Sequence, residues 1–234
     1  MCYVVITTRS IIWTLLTIAT AVAMIASVIT PKWLIGRQQK LGLESLKNET
    51  PYEVTTNEEY FTPTIGLFNR CTKLQKYGRI YHDNCASFVT GFDMHPEDFP
   101  NYWKASLVFF AAAGVMLIFT VVTATFSLCV RSMCGKSIFT VSGLIQSIAG
   151  LLCILALLLY PAGWGSDRLQ HLCGPKASAY GIDQCSLGWA FYLCIVGTLM
   201  VFLCAVLSIQ AESSTSSQKV EEEILEGKNL ICVV

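Results

Sequence analysis

Few residue types in this chain are able to do chemistry. The three histidines, His82, His95 and His171, lie too far apart in sequence to form a recognised metal-ligand pattern. Asp93, Glu97 and Asp98 surround His95 as carboxylates surround a cation, but their spacing matches no calcium loop, and a solvated acidic turn is the expected reading. No nucleophile, base and orienting group stand together in a catalytic pattern, so an enzyme is not expected, nor any cofactor or metal. The reactive groups left are 11 cysteines and the sequon Asn48-Glu49-Thr50. Their chemistry is disulfide formation and sugar attachment at Asn48, and both belong to the secretory pathway.

Which cysteines can oxidise depends on the elements that carry them. The chain has 16 basic and 16 acidic residues, yet none falls in residues 10–31, 105–130, 137–166 or 184–211. Each block is long and apolar enough for a helix to cross a hydrocarbon core of roughly 30 Å, which takes about 20 residues. A mean hydropathy of +0.54 and a charged fraction of 14% agree, the soluble norm being about 25% charged. With no water to satisfy backbone groups in lipid, the spans must be helices, and no alternating barrel strands are seen. Ala21-Val22-Ala23 resembles a signal-peptide cleavage site, but the apolar run continues through Met24, Ile25, Val28 and Ile29, as a retained span does.

The fold class expected is therefore all-α membrane, a four-helix transmembrane bundle. Its parts are a cytosolic N-terminus (1–9), a first extracellular loop (32–104), a cytosolic loop (131–136), a second extracellular loop (167–183) and a cytosolic tail (212–234). Lysine and arginine counts leave the orientation open. The sequon and the cysteines decide it: Cys71 and Cys85 belong to the long loop and Cys173 and Cys185 to the third connection, an even number in each. Four cysteines allow three pairings, of which Cys71 with Cys85 and Cys173 with Cys185 close the shortest loops. Both termini are then cytosolic, in the plasma membrane or secretory-pathway membranes. Cys2, Cys129 and Cys134 lie near the inner membrane surface as palmitoylation candidates.

Within the long loop, Thr62 to Cys71 is β-branched and aromatic and suits a strand, with a second short strand at Cys85 to Phe88 beside it. His95 to Pro100 reads as a turn or short helix leading into the second span. A small extracellular sheet on the helix bundle follows. In the third span Ser142, Gly143, Gln146, Ser147 and Gly150 recur at intervals of three and four, a stripe on one helix face that suits close helix packing or a partner helix. Gly188 is a further packing position near the outer end of the fourth span. No ionisable residue lies in a span, so a pore or proton relay built by one chain is not expected. The end of the chain, Ile231-Cys232-Val233-Val234, has the apolar residues at Cys232 and Val234 that a PDZ groove takes by strand addition.

A tryptophan shortly after the first span, Trp33, then Gly66-Leu67-Phe68 and the pair Cys71 and Cys85, resembles the first loop of the claudin and peripheral myelin protein superfamily. Claudins carry Trp where Phe68 stands and a closer cysteine pair. Trp33-Leu34-Ile35-Gly36, Leu159-Tyr160-Pro161-Ala162-Gly163-Trp164-Gly165, Cys185-Ser186-Leu187-Gly188-Trp189 and Glu226-Gly227-Lys228-Asn229-Leu230-Ile231-Cys232 resemble the lipoma HMGIC fusion partner-like tetraspan family over nearly the whole chain. That resemblance implies the claudin-like fold. It also implies a non-catalytic accessory or scaffold subunit that assists assembly, trafficking or gating of a larger channel or receptor complex. The expected partners are then the lipid bilayer, a membrane protein and a PDZ protein, and not nucleic acid. The alternative is claudin-like adhesion, for which Phe61, Leu67, Phe68 and Tyr77 are candidate contact residues, although Trp33 and Phe68 are expected to pack under the sheet. A tetraspanin-like organiser would carry its large loop between the third and fourth spans.

Overall fold

The structure is a computed structural model that describes residues 4–40, 59–76, 79–87, 100–127, 132–133, 136–217, 220, 222 and 230–233. Among these residues the chain opens with β1 (Val4–Thr7) and α1 (Thr8–Ile29), followed by β2 (Leu34–Ile35), β3 (Gln39–Lys40), β4 (Glu59–Ile65), β5 (Asn69–Lys76) and β6 (Arg79–Ser87). Next come α2 (Asn101–Phe126), β7 (Ser132–Met133), β8 (Lys136–Ser137), α3 (Ile138–Ala162) with a 3-10 turn (Gly163–Gly165), and α4 (Asp167–Cys173). The last are β9 (Ser186–Leu187), α5 (Trp189–Thr215) and β10 (Leu230–Val233). Four helices, Thr8–Ile29, Asn101–Phe126, Ile138–Gly165 and Trp189–Thr215, are long and apolar enough to cross a membrane. The protein is a multi-pass membrane protein that sits in a lipid bilayer, mostly helical with a small antiparallel sheet.

The helices and the charge-free blocks differ at their ends for a physical reason. Charge marks the hydrocarbon boundary, whereas backbone hydrogen bonding continues past it wherever the next residues accept helical geometry. Thus α2 starts at Asn101, where Trp103 and Lys104 donate their amides to the Pro100 carbonyl at 2.9 and 3.1 Å. Likewise α5 runs on through Glu212 to Thr215. Helix α1 is capped reciprocally: the Thr7 amide donates to Ser10 Oγ at 3.1 Å and the Ser10 amide to Thr7 Oγ1 at 3.2 Å.

The chain divides into two compact units. The first comprises residues 1–27, 105–158 and 193–234 and is helical. Trp13 is fully buried there, donates its Nε1 hydrogen to the Cys204 carbonyl at 3.0 Å and meets Phe139 edge to face with centroids 5.2 Å apart. Ala124 and Ala211 complete that cluster, small enough to let the large rings seat. In the same unit β1 and β10 pair in parallel, Val4 with Leu230 through Thr7 with Val233, and Thr7 Oγ1 lies 2.9 Å from Ser214 Oγ.

The second unit comprises residues 28–104 and 159–192 and holds a six-stranded sheet in the order β6-β5-β4-β2-β9, with β3 also on β4. The structure corrects the expectation of one strand from Thr62 to Cys71. That stretch is two strands, β4 and β5, turning over at Gly66, Leu67 and Phe68. The reason lies at Gly66, where a Cβ would fall 2.8 Å from Pro31 Cα and 2.9 Å from the Thr30 carbonyl oxygen. Only a bare backbone fits so close, so the hairpin reverses there. The second expected strand is longer than Cys85 to Phe88 as well, since β6 starts at Arg79 and pairs with β5 along its length. Strand β9, from the other part of the unit, reaches the sheet through β2 by pairing Leu34 with Leu187 and Ile35 with Ser186.

Candidate functional site

The groups with assignable chemistry gather in the sheet unit. Cys71 and Cys85 face each other across β5 and β6 and form a disulfide. Cys173, at the end of α4, is bonded to Cys185, just before β9. Both bridges close short loops in the chain, with sequence separations of 14 and 12. The free cysteines among the described residues, Cys153, Cys194 and Cys204, are buried on helices as small packing side chains.

Under the sheet lies an aromatic cluster that the sequence signals only in pieces. Trp33, Trp103 and Tyr160 are fully buried. Tyr160 stacks on Trp103 at 5.3 Å between centroids and meets Trp33 edge to face at 4.9 Å, while Phe191 closes on Trp33 at 5.6 Å. Trp103 Nε1 donates to the Tyr160 carbonyl at 3.1 Å, which ties the start of α2 to the end of α3. Of these rings the sequence motif singled out Trp33 alone. The signal for the others was their position, since Trp103, Tyr160 and Phe191 all fall at ends of apolar blocks, where amphipathic rings favour the membrane interface.

The remaining motif residues serve the same join. Leu67 is fully buried and Phe68 is half-buried, so neither the turn nor its leucine forms an open apolar patch; Phe61 is half-buried too. Gly188 lies between β9 and α5, where its amide donates to the Trp33 carbonyl at 2.7 Å and a Cβ would collide with the Lys32 carbonyl. Its close neighbour is thus the backbone after the first span, not a helix.

In the helical unit the α3 stripe faces three other helices. Gln146 donates from Nε2 to Thr17 Oγ1 of α1 at 3.1 Å, and Ser142 and Thr123 of α2 share a hydroxyl contact of 2.8 Å. A Cβ on Gly143 would meet Ser208 of α5, and one on Gly150 would fall 2.7 Å from Phe202. Ser147 bonds back to the Gly143 carbonyl at 3.0 Å. The Gln146 Oε1 oxygen, by contrast, is buried without a hydrogen-bond partner among the described residues.

Several candidates lie outside the described residues: Cys2, Asn48, Cys129, Cys134 and Val234, as well as Tyr77, Asp93, His95, Glu97 and Asp98. Cys232 lies in β10, where its backbone is opposite Ile6 of β1. Among the described residues no group of three or more His, Cys, Asp or Glu is placed to hold a metal ion.

Comparison with known proteins gives one family match and three relatives. The family model described as lipoma HMGIC fusion partner-like protein matches residues 9–210. LHFPL tetraspan subfamily member 2a protein of Danio rerio is 42% identical over 236 residues, and LHFPL tetraspan subfamily member 2 protein of Homo sapiens is 43% identical over 235; each match covers 100% of both chains. LHFPL tetraspan subfamily member 4 protein of Mus musculus is 25% identical over 223 residues, covering 94% of this chain and 78% of its own.

Proposed function

The chain belongs to the lipoma HMGIC fusion partner-like tetraspan family, and from that premise we propose that it is a non-catalytic accessory subunit assisting assembly, trafficking or gating of a larger membrane complex. One observation carries the reading. Among the described residues, four cysteines are held in two disulfides and the indoles of Trp13, Trp33 and Trp103 in buried contacts, while apolar side chains such as Leu15, Val115, Leu151 and Leu199 stay exposed along all four spans. Such helix faces are covered by lipid or by another protein's helices. The adhesion alternative needs an open apolar patch on the sheet, and buried Leu67 takes one candidate from it.

The same reading places both termini in the cytosol, in plasma or secretory-pathway membranes. Asn48 is then a glycan acceptor, Cys2, Cys129 and Cys134 are acylation candidates, and Cys232 with Val234 is a PDZ ligand. Mild-detergent co-purification with proximity labelling, in cells that express the protein naturally, tests the accessory role. A stoichiometric channel or receptor subunit is the expected result, and recovery of the chain alone, concentrated at cell contacts, favours adhesion. A gel shift on treatment with an Asn-glycan hydrolase, lost in Asn48→Gln, checks the orientation.

A further inference from the structure

The sheet unit contains a cavity of about 120 Å³ between one face of the sheet and α4. Register explains its floor. Ile65 pairs with Arg70 and Phe61 with Leu74 across β4 and β5, and directly opposed residues share a sheet face. Phe61, Ile65 and Arg70 accordingly lie on the same side, and α4 brings Arg168 and Leu172 to the cavity. Arg70, which is exposed, and Arg168, which is half-buried, are thus both among the residues that line an otherwise largely apolar hollow.

We propose that this cavity binds a phosphate-type anion, held by Arg70 and Arg168, whose planar forks match tetrahedral oxyanions in bidentate fashion. The size fits the class. At roughly 30 Å³ per water the space equals about four waters, enough for one phosphate group, and far less than the roughly 300 Å³ or more of a drug-sized site. Both arginines stand on braced elements. Arg70 precedes Cys71, which is bonded to Cys85, and Arg168 is on the helix that Cys173 ties to Cys185. Bracing of this kind holds the site in shape before the ligand arrives. The site is also close to the end of a span, because Asn69, next to Arg70, donates from Nδ2 to the carbonyl of Ile29, the last residue of α1, at 3.0 Å. A phospholipid headgroup and a soluble phosphate ester both present this anion at that level.

The test uses the full chain, disulfides intact, in a neutral detergent. Dioctanoyl phosphatidylglycerol, its tailless headgroup glycerophosphoglycerol, and dioctanoylglycerol, which has the tails without the phosphate, are titrated by calorimetry and native mass spectrometry. Saturable binding of one phosphate-bearing probe per chain is expected, weakened about ten-fold or more in Arg70→Gln and in Arg168→Gln, from hydrogen bonds to charged groups. If the tailless headgroup binds as well as the lipid, the source is a soluble phosphate; if the lipid alone binds, the source is the bilayer. Should Arg70→Gln fail to form its disulfides, Arg70→Lys keeps the charge without the fork and is expected to bind several-fold more weakly than wild type. Unchanged binding in the variants overturns the proposal and leaves the arginine stems as cover for the apolar floor. Equal binding of dioctanoylglycerol, or no saturable binding of either phosphate probe, overturns it as well.

Discussion

The helical unit and the sheet unit are held together by different forces. In the helical unit polar side chains reach neighbouring helices or their own backbone, as Gln146 does to Thr17 and Trp13 to the Cys204 carbonyl, and small residues let the helices approach. No disulfide falls on the unit's described residues. The sheet unit is braced by two disulfides and a cluster of large rings. Solvent accounts for the contrast. Between spans, lipid is as apolar as leucine, so association rests on close packing and hydrogen bonds that are individually small. A small domain with short strands buries too little apolar surface to hold itself, and covalent links and aromatic area make up the difference.

That contrast can be broken or sharpened by substitution, from the largest effect to the smallest. Trp33→Ala removes the ring on which Tyr160 and Phe191 pack, and about 3–5 kcal/mol of stability is expected to go with it; thermal unfolding in detergent reads the loss. If the variant melts like wild type, the aromatic cluster is not what joins the sheet to its supporting helix ends. Cys71→Ser should cost about 2–5 kcal/mol and reduce delivery to the cell surface, measured by surface biotinylation. Reductant should destabilise the wild-type sheet unit by a similar amount while leaving α1 and α5 protected from hydrogen exchange; equal loss in both units would erase the distinction. Gly188→Ala sets a methyl group against the Lys32 carbonyl and is expected to cost about 1–3 kcal/mol, seen as a lower melting temperature with both disulfides retained by mass spectrometry. Gln146→Leu should cost only about 0.6 kcal/mol, since the side chain already leaves its Oε1 unbonded. A drop as large as that for Trp33→Ala would show the helical unit to depend on single polar contacts after all.

Sequence made the spans legible because charge is excluded from hydrocarbon at a high cost, and the disulfide pairs legible because local cysteines in one loop meet most readily. It left the hairpin illegible: Thr62 to Cys71 reads as one β-branched run, and what breaks it is the nearness of Pro31 to Gly66, a contact between segments far apart in sequence. Gly188 reads as a helix-packing glycine for the same reason, since β-branched and small residues report their own backbone preference and not the neighbour that arrives later. The aromatic cluster is intermediate. Trp103, Tyr160 and Phe191 each signal an interface position, but nothing in their spacing says that they meet Trp33.

The parallel pairing of Val4–Thr7 with Leu230–Val233 makes the chain a ring closed by a four-residue clasp. Two-stranded parallel ribbons are weak on their own, so such a clasp exchanges readily. Without β10 the backbone of Val4–Thr7 would lose its ladder partner, while the Thr7 hydroxyl would keep Ser214 of α5. A bulky tag fused at either end would therefore stand beside the strand from the other end.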